Sequence, residues 1–131
     1  MYEQLIAYCE SQGVVVRETP RLRYVGIWDA EHRIIWLNSH LTGRERVPVL
    51  LHEVLHMQAG HIGPQPAAVE RRIRRDVARI LISRNAYARA EKLAEGDLFG
   101  IAEELDQPAW LVRDYQESLA KECGRVPSVL I

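Results

Sequence analysis

Apolar residues recur at helical spacing at Leu5, Ile6 and Cys9, and Gly13 ends the run, which predicts a short helix over residues 2–12. Val14-Val15-Val16 reads as a strand that ends before Pro20. Residues 21–28 and 33–38 are β-rich runs on either side of Asp29-Ala30-Glu31-His32, which reads as a hairpin turn. Residues 39–43 are polar and loop-like. Val47, Val49, Leu50, Leu51, Val54, Leu55 and Met57 then predict a helix that is at least half buried. It begins near residues 44–48, tolerates Pro48 in its first turns, and stops at Gly60.

Gly63-Pro64-Gln65-Pro66 is a breaker segment, and the remainder is helical. Val69, Ile73, Val77, Ile80 and Leu81 predict a helix from Pro66 to about Ser83 or beyond. Residues 87–95 add a further helical turn or two, and residues 97–105 and 108–119 read as two short helices joined by Asp106-Gln107. There is no internal repeat, low-complexity tract or clear domain boundary. A helix, three strands and then helices argue an α+β fold, with a small three-stranded sheet and a helical C-terminal half. At 131 residues the chain is expected to form one domain, residues 1–131.

Composition narrows the function classes. Hydrophobic residues at 47% and charged residues at 27% are ordinary for a soluble globular protein. A net charge of −1 gives no global field toward nucleic acid or membrane. No apolar run approaches a membrane span, and Met1-Tyr2-Glu3-Gln4-Leu5 does not resemble a signal peptide. Cys9 and Cys123 form no metal-type pair, so a cytoplasmic protein with free thiols is the expectation. Arg71, Arg72, Arg74, Arg75 and Arg79 read as a solvated helix face rather than a nucleic-acid surface.

The apolar helix carries the chemistry. His52-Glu53-Val54-Leu55-His56 is an H-E-x-x-H motif. Residues four apart project from the same helix face, so two neutral imidazoles can bind one zinc ion as neighbouring corners of a tetrahedron. Glu53 lies beside that face and can reach a water at the metal's open position, which is the place of a general base. The pattern arises by chance in roughly a few chains per thousand of this length. A half-buried helix is a costly place for unpaired His-Glu-His, which favours the metal reading over decoration.

Zinc needs a third protein ligand. The extended motif H-E-x-x-H-x-x-G-x-x-H would need Gly at position 59 and His at position 62, where the chain has Ala59 and Ile62. Gly60 and His61 are each displaced by one residue. His61 therefore reads as a helix-terminal cation or a partner of nearby backbone, with a site role as the alternative. Glu70 is the better candidate, because an antiparallel helix after the breaker returns it across the His-His face. An acid is also favoured near a helix N-terminus for electrostatic reasons alone, but that does not supply the missing ligand. Glu91, Glu103 and Glu104 are weaker candidates.

These features together resemble the ImmA/IrrE family of zinc metallo-endopeptidases. The matching residues are Ile35, Leu37 and Asn38 before the motif, the motif with Gly60-His61, and Glu70 through Ala78-Arg79-Ile80-Leu81-Ile82. Ile101-Ala102-Glu103-Glu104-Leu105 and Trp110-Leu111-Val112 look like that family's helical tail. The resemblance implies a zincin-like fold in which the sheet packs on the motif helix. It also implies zinc ligands His52, His56 and Glu70, with Glu53 as base. Many members carry Asp or Asn four residues after the ligand Glu, where this chain has Arg74. An arginine cannot accept the free N–H of a ligand imidazole, and Asp76 lies on a different face of the helix.

The function expected is a cytoplasmic zinc endopeptidase that cuts a regulatory protein. The resemblance points to a helix-turn-helix repressor of a phage or mobile element. Residues 33–38 offer a candidate sheet edge for substrate. The rivals are a DNA- or regulator-binding module and a zinc-containing scaffold with little hydrolysis. Residues 97–120 have the size of a helix-turn-helix pair, but Asp114 and Glu117 beside Arg113 make a poor surface for phosphates.

Overall fold

The computed structural model describes the backbone of residues 1–130 and the side chains of residues 1–122. The side chain of Cys123 therefore lies outside the described residues, while Cys9 is a buried free thiol. Among the described residues the fold is α+β, with six helices and a mixed three-stranded sheet. The chain forms two compact units, Met1–Ile73 and Arg74–Ile131, whose boundary falls inside a continuous helix.

The first unit opens with α1 (Tyr2–Ser11) and β1 (Val15–Thr19). The hairpin β2 (Gly26–Asp29) and β3 (Ile34–Asn38) follows, and then α2 (Gly43–Gln58). The hairpin lies where the sequence places it. Two points differ from the sequence reading. The residues ahead of β2 are irregular, because the Asn38 side chain binds them in place of a ladder: its Nδ2 donates to the Leu22 carbonyl at 3.1 Å. The strand at 33–38 is also not an edge. β3 is central, parallel to β1 on one side and antiparallel to β2 on the other, so the edges are β1 and β2.

Alternation along β3 buries Ile35 and Leu37 on one face. They join Val49, Leu50 and Val54 of α2, Cys9 of α1 and Val14 in the core of this unit. Each such aliphatic side chain contributes about 1.5–3 kcal/mol when fully buried. A T-x-x-E capping box begins α2, with Glu45 Oε1 accepting the Thr42 N–H at 3.0 Å. Pro48 falls in the second turn and removes one backbone donor.

Both α1 and α2 end in a Schellman motif. In α1, Gly13 takes φ +72° and Val14 N–H donates to the Cys9 carbonyl at 2.9 Å. In α2, Gly60 takes φ +71° and His61 N–H donates to the His56 carbonyl at 3.1 Å. Glycine serves both turns because the left-handed region strains a residue with a β carbon.

α3 (Ala67–Leu81) runs from the first unit into the second. Ile73, Val77 and Ala78 are buried, while Ile80, expected on the apolar stripe, is 55% exposed. The helix stops before Ser83, whose Oγ accepts the Ala86 N–H at 3.1 Å and caps α4 (Arg84–Leu93). Within the second unit α4 packs on α5 (Leu98–Leu105), and α5 packs on α6 (Ala109–Leu130). The Tyr87 and Tyr115 rings lie 4.8 Å apart within it. The α5–α6 pair matches the expected helix-turn-helix size, but α6 continues past residue 120. No described helix is long and apolar enough to cross a membrane.

Candidate metal centre

α2 brings His52 and His56 onto one face, with ring centroids 4.9 Å apart. Glu70 sits in the first turn of α3 and reaches both rings. Its Oε1 lies 3.0 Å from His52 Nε2 and 3.0 Å from His56 Nε2, and the two Nε2 atoms are 3.2 Å apart. Among the described residues, this is the group of His, Cys, Asp and Glu side chains with the geometry to hold a metal ion. The structure thus brings together the three side chains that the sequence reading takes as candidate ligands.

Protons do not account well for this triangle. Each Nε2 either carries a proton or offers a lone pair, so hydrogen bonds satisfy at most two of the three edges. One cation satisfies all three, because every atom then turns a lone pair toward it. The edges also fit a tetrahedral zinc site, whose ligand atoms stand about 3.3 Å apart when the bonds are about 2.0–2.1 Å. His56 is the closed side of the triangle, with 8% of its side chain exposed, while His52 and Glu70 stay 21% and 31% exposed. A fourth ligand can enter from that open side, as a catalytic site requires.

Burial alone would raise the Glu70 carboxyl, but the two imidazoles bonded to it outweigh burial and hold it below its ordinary value. An ionised carboxylate is the form that binds metal.

Glu53 faces β2. It is one of three buried polar side chains among the described residues, with His56 and Ser118, so the motif supplies two of the three. With protein groups alone around it, burial first and the Glu70 charge second push its pKa to about 8. The Trp28 backbone N–H donates to it and opposes that shift. A divalent cation nearby would act in the same direction as Trp28 and favour the ionised form.

Three supporting residues escaped the sequence reading or were placed differently. Gly26 and Trp28 of β2 flank Glu53, and no local pattern marks them. His61 was expected to end the helix, and it does so, but its ring also meets the site. His61 Nδ1 lies 2.9 Å from His56 Nδ1. Trp28 Nε1–H in turn donates to the His61 carbonyl at 3.1 Å. Arg74 and Asp76 are exposed, and Glu91 bonds Tyr87 within the second unit. Compared with known proteins, the chain matches no family model and no curated sequence.

Proposed function

We propose that this chain is a zinc-dependent endopeptidase of the H-E-x-x-H type. The observation that carries the reading is the convergence of His52 Nε2, His56 Nε2 and Glu70 Oε1 beside a buried Glu53. When bound, zinc would supply a Lewis acid that polarises a water and the scissile carbonyl. His52, His56 and Glu70 would hold that ion. Glu53 takes the proton of the attacking water and passes it to the leaving amine. The Trp28 N–H fixes the Glu53 carboxylate against β2. A substrate strand belongs on β2, because β3 is paired on both sides and β2 borders Glu53.

The sheet packs against α2 through β2 and β3, which supports the zincin-like arrangement as part of this proposal. A cytoplasmic setting and a regulatory protein substrate, such as a phage or mobile-element repressor, belong to it as well. They rest on the resemblance to the ImmA/IrrE family. Asp114 and Glu117 on α6 weigh against a nucleic-acid role for the second unit.

The deciding experiment measures zinc content of the purified chain together with cleavage of a candidate repressor. About one zinc per chain and cleavage that stops on chelation are expected. Full zinc with no cleavage of any regulator tested would favour the scaffold reading, and no zinc would end the metal reading.

A further inference from the structure

We propose that His61 is a positioning residue that fixes which nitrogen of His56 faces the metal site; this rests on the metal reading above. A neutral imidazole has one proton, and the hydrogen bond made by one ring nitrogen decides what the other can do. For His56 Nε2 to present a lone pair to the triangle, the proton must sit on Nδ1. That proton then needs an acceptor. His61 Nδ1, at 2.9 Å, is the acceptor in place. His61 therefore carries its own proton on Nε2.

The backbone delivers this contact. In a Schellman motif the residue after the left-handed position returns over the third residue from the helix end, and the two side chains usually make an apolar pair. The first unit uses that arrangement at the ends of two helices. At the end of α1 the pair is Cys9 and Val14, both fully buried in the core. At the end of α2 the pair is His56 and His61, with ring centroids 5.1 Å apart at 60°. The same backbone device thus serves packing in one place and ring orientation in the other. Trp28 holds it from the far side, through the indole N–H on the His61 carbonyl.

This arrangement also answers the presence of Arg74 where an acidic acceptor would be expected. Metal-bound histidines commonly give their other N–H to a carboxylate, carbonyl or water, and loss of that partner costs about 10–100-fold in metal affinity. Here a second imidazole takes that place. The main-chain bonds of His61 do not involve its ring, so replacing the side chain leaves the helix end intact.

The test compares wild type with His61→Phe, which keeps a ring but has no acceptor, and His61→Asn, which restores an acceptor near the Nδ1 position. Two readouts are taken. Long-range proton–nitrogen NMR of the zinc-loaded protein locates the His56 proton, and the exchange rate of that proton reports its hydrogen bond. Chelator competition reports zinc affinity. Wild type is expected to hold a slowly exchanging His56 proton on Nδ1, and His61→Phe to expose that proton to exchange. His61→Phe should bind zinc about 10–100-fold more weakly, with His61→Asn recovering most of the loss. Unchanged proton exchange and unchanged affinity in His61→Phe would overturn the proposal. A wild type that takes up no zinc would instead sink the metal reading, and this proposal with it. His61→Leu gives the same comparison should phenylalanine disturb folding.

Discussion

Gly26 of β2 leaves open the space that Glu53 of α2 fills. A β carbon on Gly26 would stand 2.9 Å from Val49 Cγ1, 3.2 Å from Glu53 Cγ and 3.3 Å from Glu53 Oε2. The strand and the helix can approach this closely only where one side chain is missing. Gly26→Ala should therefore push the Glu53 carboxylate off the Trp28 N–H. The expected result is a loss of about 1–3 kcal/mol in denaturant unfolding, the scale of overpacking, together with reduced peptide hydrolysis. Wild-type stability and activity in this variant would show that the approach is looser than the structure has it.

Glu53→Gln separates binding from chemistry. The amide keeps the shape and can still hydrogen-bond, but it cannot take a proton. Zinc content and melting behaviour should stay close to wild type. Hydrolysis should fall by at least ~10²-fold, the usual scale for removing a general base. Equal cleavage by the two proteins would remove Glu53 from the mechanism.

The three proposed ligands should not be equivalent to their neighbours. His52→Ala, His56→Ala and Glu70→Ala should each abolish stoichiometric zinc, because each takes away one of three converging atoms. His61→Ala should only weaken retention. If chelator titration ranked His61→Ala below Glu70→Ala in affinity, the third ligand would have to be reassigned.

The Schellman turn itself can be tested without touching any ring. Gly60 has open space where a β carbon would go, so the obstacle to substitution is its φ of +71° alone. Gly60→Ala should cost about 1–2 kcal/mol, the penalty of the left-handed conformation for a residue with a β carbon. Because His61 hangs from that turn, zinc affinity should fall as well. A stability loss with wild-type zinc affinity would mean that the ring contact survives a reshaped backbone.

Much of this was legible in the sequence. The apolar run and Gly60 placed the end of α2 to within two residues, since helical periodicity and a terminal glycine are local signals, while its start at Gly43 lies ahead of the expected 44–48. The place of Glu70 beside the two histidines was legible from loop length and position. The strand order was not. β3 became central because β1 pairs with it in parallel, and that pairing depends on contacts between distant segments. Ile80 kept helical spacing yet stayed exposed, as periodicity cannot say which neighbours will cover a face. The break before α4 did leave a sign, since Ser83 is a good N-cap residue, but the helical pattern on both sides concealed it. His61 was visible as a residue, but its contact with His56 was not: the turn that ends the helix also aims the ring. Gly26 and Trp28 carry no signal in the chain, because their meaning lies in the closeness of β2 to α2.

The position of Glu70 has a consequence for folding as well as for chemistry. His52 and His56 share one helix, but Glu70 comes fourteen residues after His56, beyond the Gly-Pro segment. A single ion bound to all three would act as a clasp across that loop, joining two segments whose closure otherwise costs chain entropy. Metal and fold would then be thermodynamically linked. Free zinc at a hundred times its dissociation constant would add about 2.7 kcal/mol to stability. Melting temperature should therefore climb with zinc in the wild type and stay flat in Glu70→Ala. Removing the ion would loosen the start of α3 before it disturbed α2.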